Sequence, residues 1–433
     1  MFISDNIGIN EKGNMTVAGH DCASLAESFG TPLYIMDEDK LRENMRAFRD
    51  SISACYNGNG LVCYASKALC CREMCRIAAS EGLGLDVVSG AEIYTAMSVG
   101  FDASKICFHG NSKTDEEIRY ALKSGVGRIV ADNITELHNI DRIAGEENIC
   151  ARIMLRIKPG IDAHTHDFVK TGQIDSKFGL ALETGEAFEA VREAISHKNL
   201  RLLGVHCHIG SQIFDVDPFE EAARVMLSFI AKVRDELQYE LEDLNLGGGF
   251  GIRYVESDNP KPFGEYLKRV STVIHEECAR LSLKAPFVII EPGRSIAGSA
   301  GVTLYKVSAV KNIPGIRTYV LIDGGMCDNP RYALYKSQYM IDVVGKAGLE
   351  KTENVTVGGK CCETGDFIGE NMPIQKVEPD DIIAVHTTGA YNYSMSSNYN
   401  RTPRPAIVFV SRNGEPRVAV KRESYEDIIR NDI

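Results

Sequence analysis

The feature that most constrains the fold is an alternation, repeated eight times between residues 61 and 291, of short apolar runs with helical segments. The clearest helical segment is 218–237, where apolar residues recur every three or four positions with charges on the opposite side. The apolar runs are rich in β-branched residues, as strands are; they are LVCYAS, LGLDVV, KICFHG, GRIVAD, ARIMLRIK, LLGVHCH, LEDLNL and FVIIE. Eight such units predict a (β/α)₈ barrel.

After residue 300 the pattern changes to strand-like runs with no long amphipathic helix between them. These runs are VTLYKVSAV, TYVLIDGG, DIIAVHTTG, AIVFVS and RVAV, and they predict a C-terminal all-β domain. The first thirty residues are also strand-like, so we expect them to join that domain. The fold class is therefore α/β, with the barrel at 31–297 and the β domain at 1–30 and 298–433.

Composition excludes several classes of protein. A chain of 433 residues with 44% hydrophobic and 25% charged residues is typical of a globular protein with two domains. A net charge of −12 without a Lys/Arg-rich block argues against nucleic acid or an anionic membrane surface as the partner. Neither a signal peptide nor a run of about 18 apolar residues is present, so we expect a cytoplasmic protein. The thirteen cysteines include no C-x-x-C pair and are interpreted as reduced thiols.

Unusual residues lie at or near the ends of seven of the eight predicted strands. They are Lys67, the segments 86–90, 247–251 and 291–294, and His109, Arg156 and His208. In a (β/α)₈ barrel these ends share one rim, which is where such folds carry their chemistry. Lys67 is the most informative, because a lysine is costly at the end of a buried strand unless its amine has a use. One such use is attack on a carbonyl compound.

Two of these segments suggest which carbonyl compound the amine binds. GGGFG, at 247–251, exposes successive backbone N–H groups but lacks the lysine of a P-loop, which favours a single phosphate over a nucleotide. EPGR, at 291–294, offers Glu291 for a protonated ring nitrogen, Gly293 for the phosphate and Arg294 for a carboxylate. Together with Lys67 and a flat imidazole, they predict a pocket for pyridoxal phosphate held as a Schiff base.

A metal site is the alternative at this rim. His206 and His208 lie on the same side of a strand, and an H-x-H pair at the end of a barrel strand begins the metal site of many hydrolases. The segment HTH, at 164–166, can add ligands. The chain contains no H-E-x-x-H or comparable signature, so we expect no metal.

Nine motifs occur along the chain in the same order as in a known family. They are YASKA, GLDVVSGAE, HTH…TG…KFG, HCHIGSQ, LGGGFG, EPGR, RYALY, CETGD and GAYNYSMSSNYNRTPRP. With them the chain, from TPLYIMD to RPAIVF, resembles the diaminopimelate decarboxylases of the alanine-racemase-like class. The resemblance implies a homodimer with shared active sites that converts meso-2,6-diaminopimelate, at its D-centre, to L-lysine and CO₂, the last step of lysine biosynthesis. Decarboxylation of ornithine or arginine, and a catalytically silent regulator, are the alternatives.

The resemblance also implies roles for individual residues at the cofactor. Lys67 would carry pyridoxal phosphate, His208 would stack on its ring and Glu291 would pair with the pyridine nitrogen. The residues around the phosphate would be Ser211, Gly248, Gly249 and Gly293, with Arg294 and Tyr391 also contacting the cofactor.

For the substrate, the resemblance assigns a second set of residues. Those at the distal carboxylate would be Arg294, Arg331 and Tyr335, with Tyr391 beside them. Glu363, contributed by the partner subunit, would bind the distal ammonium, and Cys362 would return a proton after CO₂ leaves. Cys361 is the alternative donor if the register shifts by one residue. Tyr332 and Thr364 stand where the family commonly has proline and serine.

Overall fold

The computed structural model describes residues 2–161 and 176–433. The chain divides into two compact units. The barrel unit comprises Asn44–Gly251 and Pro260–Gly293, and the β unit comprises Met1–Glu43, Ile252–Asn259 and Arg294–Ile433. The HTH segment at 164–166 and the TG pair of the same motif lie outside the described residues.

The strands of the described chain are numbered in chain order. The first thirteen are β1 Ile7–Ile9, β2 Met15–Val17, β3 His20–Asp21, β4 Leu33–Asp37, β5 Gly60–Ala65, β6 Gly84–Val87, β7 Ile106–Phe108, β8 Arg128–Ala131, β9 Ala151–Lys158, β10 Leu180–Ala181, β11 Leu200–His206, β12 Asp243–Asn245 and β13 Phe287–Ile290. The others are β14 Gly301–Ile313, β15 Arg317–Ile322, β16 Ile341–Val343, β17 Glu353–Gly358, β18 Phe367–Ile374, β19 Ile382–Val385, β20 Ala406–Ser411 and β21 Gly414–Val420.

The helices are numbered in the same way. They are α1 Cys22–Phe29, α2 Glu38–Tyr56, α3 Arg72–Ser80, α4 Gly90–Met97, α5 Asp115–Ser124, α6 Ile134–Glu147, α7 Glu186–Ser196, α8 Asp217–Leu237, α9 Phe263–Leu281, α10 Arg294–Ala297, α11 Arg331–Tyr335 and α12 Tyr425–Ile429. None of them, in the described part of the chain, is both long and apolar enough to cross a membrane.

The barrel predicted from the sequence is confirmed. Eight parallel strands follow the order β5-β6-β7-β8-β9-β11-β12-β13, and β13 pairs with β5 to close the ring. Each of the eight apolar runs supplies one of these strands. The interior is a packed core whose buried side chains come from five of the strands: Cys63, Cys107, Val130, Met154 and Ile289.

Local sequence explains where the barrel helices begin and end. Helix α8 coincides with the predicted segment and buries Phe219, Met226 and Val233 along one stripe. Helix α5 starts at a capping box in which Thr114 and Glu117 satisfy each other's backbone N–H groups. It stops at Gly125, which adopts the left-handed conformation that favours glycine.

The β unit contains two sheets. The larger has the order β18-β17-β15-β14-β4-β20-β21, with β19 pairing to β14 and β16, and the smaller consists of β1, β2 and β3. The sequence placed the domain boundary at residue 31, whereas β4 pairs with β14 and β20 of the β unit. All five residues of β4 are buried, so this segment fits the inside of a sheet as well as it fits a barrel strand.

Candidate active site

Lys67 lies in a single turn of 3₁₀ helix, Ser66–Ala68, directly after β5. Its ammonium donates a hydrogen bond to Oδ2 of Asp86 on the neighbouring strand β6. The lysine side chain is 43% exposed while that of Asp86 is 1% exposed. The buried carboxylate therefore positions the amine at the rim and leaves it accessible. A lysine that attaches a carbonyl cofactor covalently must have both properties.

Glu291 follows β13 and is buried among three polar side chains from other strands. Its Oε1 lies 2.6 Å from Nε2 of His109 and accepts a hydrogen bond of 2.6 Å from Nδ2 of Asn245. Nε2 of His206 lies 3.3 Å from Oε2. Burial alone would raise the pKa of the Glu291 carboxyl, but the two histidines bring it well below its usual range. Glu291 is thus an anion suited to a protonated ring nitrogen.

The two histidines of HCHIGSQ have different surroundings. Burial lowers the pKa of His206 to about 4. Burial also lowers the pKa of His208 well below its usual value, with Arg156 adding to the effect. Nδ1 of His208 accepts a hydrogen bond of 3.2 Å from the backbone N–H of Gly248. The His208 ring is therefore neutral and held in one orientation, which suits stacking on a flat cofactor.

Glycine is required at the predicted phosphate loop because the backbone approaches other segments closely. A Cβ at Gly248 would lie 2.2 Å from the carbonyl oxygen of Glu291, and one at Gly249, whose φ is +110°, 2.4 Å from that of Gly210. A Cβ at Gly293 would lie 2.9 Å from Cβ of Ala65. Ser211 lies in the bend that precedes Ile213, whose N–H donates to the Gly249 carbonyl. The glycines thus leave backbone rather than side chains at this rim.

The β unit carries the predicted carboxylate-binding residues. Arg294 and Arg331 are each 7% exposed. Nη1 of Arg294 donates to the Tyr254 hydroxyl at 2.8 Å, and Nε of Arg331 donates to the Tyr339 hydroxyl at 3.0 Å. The centre of the Tyr391 ring lies 4.9 Å from Cζ of Arg294 and 5.6 Å from Cζ of Arg331. Two buried guanidinium groups therefore lie within cation–π distance of the same aromatic ring.

Arg331 has further contacts with neutral side chains, and no carboxylate pairs with it in the described residues. Its Nη2 donates to Oγ of Ser337 at 3.2 Å, and its guanidinium lies over the ring of Tyr335 at 5.6 Å. A buried guanidinium surrounded by neutral groups is prepared to bind an anionic ligand bidentately.

The two adjacent thiols differ in exposure. Cys361 is buried, its N–H donates to Oδ2 of Asp366 at 2.7 Å, and burial raises the pKa of its thiol. Cys362 is exposed, and its N–H donates to Oδ1 of Asn400 at 2.7 Å. Glu363 is also exposed, with Oε2 at 3.5 Å from the Tyr399 hydroxyl. Cys362 is the thiol that a ligand can reach.

The predicted residues thus form two groups. The barrel unit holds Lys67, His208, Ser211, Gly248, Gly249, Glu291 and Gly293, and the β unit holds Arg294, Arg331, Tyr335, Cys362, Glu363 and Tyr391. Sequence reasoning gave no role to Asp86, His109, Asn245, Tyr254 or Tyr339. The signal for the first two was a charged or polar residue inside or just after a short apolar strand.

The barrel-unit residues fit pyridoxal phosphate. They supply an accessible amine, a neutral imidazole held in place, a buried carboxylate and a glycine loop that admits no Cβ. Residues 38–298 match the family model described as the pyridoxal-binding domain of pyridoxal-dependent decarboxylases. These observations define the class: the chain is a pyridoxal-dependent decarboxylase.

Full-length relatives narrow the class. The chain is 47% identical over 423 residues to diaminopimelate decarboxylase of Bacillus methanolicus, covering 98% of each. It is 45% identical to that of Bacillus subtilis, covering 100% of this chain and 98% of the relative. A crystal structure of diaminopimelate decarboxylase from M. jannaschii in co-complex with L-lysine superposes with a TM-score of 0.91 at 35% identity, covering 100% and 99%. The chain belongs to the diaminopimelate decarboxylases.

Proposed function

We propose that this chain removes the carboxyl group at the D-centre of meso-2,6-diaminopimelate and releases CO₂ and L-lysine, as the last step of lysine biosynthesis. The observation that carries the proposal is the pair of buried arginines, Arg294 and Arg331, in a chain that also places a lysine at the rim of a barrel. A substrate with a second carboxylate gains from buried guanidinium groups, whereas a substrate with only an amine at that end, such as ornithine, would be repelled.

Lys67 would hold the cofactor, and Asp86 keeps its side chain at the rim. Bound pyridoxal phosphate supplies an electron sink that accepts the electron pair left by departing CO₂. Glu291, held anionic, would keep a proton on the ring nitrogen, and His208 would support the ring from one face. Ser211, Gly248, Gly249 and Gly293 would surround the phosphate.

The β-unit residues would bind the substrate and supply the proton that replaces CO₂. Arg294, Arg331 and Tyr335 would bind the distal carboxylate, and Tyr391, whose ring lies near both guanidinium groups, would contact the substrate and the cofactor. Cys362 would return a proton to the carbon that lost CO₂, because a thiol is mostly protonated at neutral pH and can act as a general acid. Its exposure, in contrast to the burial of Cys361, supports this choice.

The proposal includes a homodimer in which Glu363 of one copy binds the distal ammonium in the site of the other. Glu363 is exposed and lies beside Cys362, so both can face a second copy of the chain. The proposal also includes the cytoplasm, since all thirteen cysteines are free, as in a reducing compartment.

Product analysis tests the proposal. Purified protein loaded with pyridoxal phosphate is incubated with meso-, LL- and DD-diaminopimelate, ornithine and arginine, and amine products and CO₂ are measured. We expect L-lysine and CO₂ in equal amounts from the meso isomer. Faster conversion of ornithine or arginine would favour the decarboxylases of those substrates. Absence of CO₂ from every substrate, with cofactor bound, would indicate a silent regulator.

A further inference from the structure

The proposed function leaves unexplained a buried histidine, His109, beside the residues predicted to hold the cofactor. Asp86 pairs with Lys67 through Oδ2, while its Oδ1 lies 3.9 Å from Nε2 of His109. The same Nε2 lies 2.6 Å from Oε1 of Glu291. The side chains of Asp86, His109 and Glu291 are all at most 5% exposed. One imidazole therefore lies between two buried carboxylates, one at the lysine and one at the predicted ring-nitrogen partner.

The direction of the hydrogen bond follows from the chemistry of its partners. An ionised carboxylate only accepts, so Nε2 of His109 carries the proton that it shares with Glu291. Oδ1 of Asp86 has no hydrogen-bond partner among the described residues, and at 3.9 Å it is beyond hydrogen-bond distance of Nε2 of His109. Without His109, the buried Oε1 of Glu291 would lose one of its hydrogen-bond donors. Loss of a hydrogen bond to a buried carboxylate destabilises that carboxylate.

We propose that His109 is a positioning residue for the cofactor: it fixes the carboxylate of Glu291 by a hydrogen bond of 2.6 Å. This inference rests on the proposed function, because it assumes that Glu291 meets the ring nitrogen of pyridoxal phosphate. His206 contacts the other oxygen of Glu291, and its ring packs edge-on against that of His109 at 4.6 Å.

The same geometry could instead hold a metal. One ligand atom each from His109, His206 and Glu291 lie within 4.8 Å of one another. The metal site considered from the sequence used His208 rather than His109, but Nδ1 of His208 accepts a hydrogen bond from Gly248. Because Glu291 also has Asn245 as a donor, we assign the cluster to the cofactor and let the experiment distinguish the two.

The test compares His109→Leu with the conservative variant His109→Gln, which keeps an N–H donor. Phe108→Leu is the packing control, since Phe108 is fully buried in the same strand and is not part of the site. Cofactor-free protein is titrated with pyridoxal phosphate to obtain its dissociation constant. The bound cofactor is then prepared with ¹⁵N in the pyridine ring, and the nitrogen shift is measured by NMR.

We expect His109→Leu to weaken cofactor binding about tenfold or more, equivalent to about 1.4 kcal/mol, and to move the nitrogen shift toward the unprotonated value. His109→Gln should remain close to wild type in both readouts, and Phe108→Leu should leave the nitrogen shift unchanged. Wild-type-like affinity and shift in a folded His109→Leu would overturn the inference, as would binding of zinc in place of the cofactor. Failure of the proposed function would show differently, as wild-type protein that does not bind pyridoxal phosphate at Lys67.

A second, independent cluster lies on the outer helices of the barrel unit. His138 on α6 contacts Glu193 on α7 through Nε2, and His197 directly follows α7. One ligand atom from each of these residues lies within 4.8 Å of the others. Nδ1 of His197 lies 3.2 Å from Oδ2 of Asp141, whereas its Nε2 has no hydrogen-bond partner in the described chain.

We infer that this cluster is a binding site for a divalent transition-metal ion. Two imidazoles and one carboxylate suit Zn²⁺ or Ni²⁺ far better than Mg²⁺. The carboxylate of Asp141 beside Nδ1 of His197 would keep the proton on Nδ1 and leave the lone pair of Nε2 available to a metal ion. The ion would join α6 to the end of α7.

Calorimetric titration of the holoenzyme, freed of metal by a chelator, tests this site. With NiCl₂ and ZnCl₂ we expect one saturable equivalent that is lost in the variant combining His138→Ala and His197→Ala, while MgCl₂ shows none. Arg192→Ala, on the same helix and outside the cluster, should retain that equivalent. Absence of a saturable equivalent in wild type, or its retention in the double variant, would overturn the inference.

Discussion

Replacing Arg331 by methionine removes the buried guanidinium while keeping a side chain of similar length. The group is 7% exposed, is supported by Tyr339 and Ser337, and has no carboxylate partner in the described structure. A hydrogen bond between charged groups in a buried site is worth about 1.5 to 3 kcal/mol. We therefore expect kcat/KM for meso-diaminopimelate to fall by roughly 10- to 150-fold in Arg331→Met.

The assay compares two substrates that differ only at the distal end. D-Lysine matches meso-diaminopimelate at the reacting D-centre but has hydrogen in place of the distal carboxylate. If Arg331 binds that carboxylate, the variant loses activity on meso-diaminopimelate while its activity on D-lysine changes little. The preference of wild type for the dicarboxylate then falls by the same factor. An equal loss on both substrates would refute the assignment and point to a general disturbance of the site.

Three further predictions concern the thiols, the subunit arrangement and stability. Cys362→Ser should lower kcat about 100-fold or more, whereas Cys361→Ser should change it only a few-fold. Lys67→Ala and Glu363→Gln homodimers should each be nearly inactive, and re-association of the two variants should restore up to about a quarter of wild-type activity if sites are shared. Burial raises the pKa of Asp328 to about 7 from 3.8. The folded protein therefore holds a proton on this carboxyl that the unfolded chain releases above about pH 4, so the free energy of unfolding falls as the pH rises from 4 to 7. In chemical denaturation, Asp328→Asn should remove this loss, and the difference between variant and wild type should grow by up to about 1.4 kcal/mol for each pH unit between 4 and 7.

Each prediction has an outcome that would contradict it. A large loss in Cys361→Ser with little effect of Cys362→Ser would reverse the thiol assignment. A re-associated mixture as inactive as its parents, although mixed dimers form, would argue against a shared site. A wild type and an Asp328→Asn variant with parallel pH profiles would show that this carboxyl is not protonated in the folded protein.

The barrel was predictable because each of its strands, buried on both faces, leaves a short apolar run that stands out from amphipathic neighbours such as α8. Strand β4 was misassigned for the same reason, since its apolar sequence does not reveal which sheet it joins. Strands β17 and β18 were missed because polar residues interrupt them, as in ENVTVG and FIGENMPI.

The candidate site was predictable where a residue type is unusual for its position, as Lys67, Glu291 and the GGGFG loop are. Tyr254 and Tyr339 were not, because a tyrosine in a loop is ordinary and only the fold brings its hydroxyl to an arginine. His109 was visible at the end of a strand, but its contact with Glu291, which is 182 residues away in the chain, depends on closure of the barrel.

The most direct test of this account is to treat the purified holoenzyme with borohydride and to determine by mass spectrometry which side chain carries the cofactor. We expect a pyridoxyl adduct on Lys67, and none in Lys67→Ala. An unmodified Lys67 in protein that contains pyridoxal phosphate and releases CO₂ from meso-diaminopimelate, or an adduct on another lysine, would contradict it.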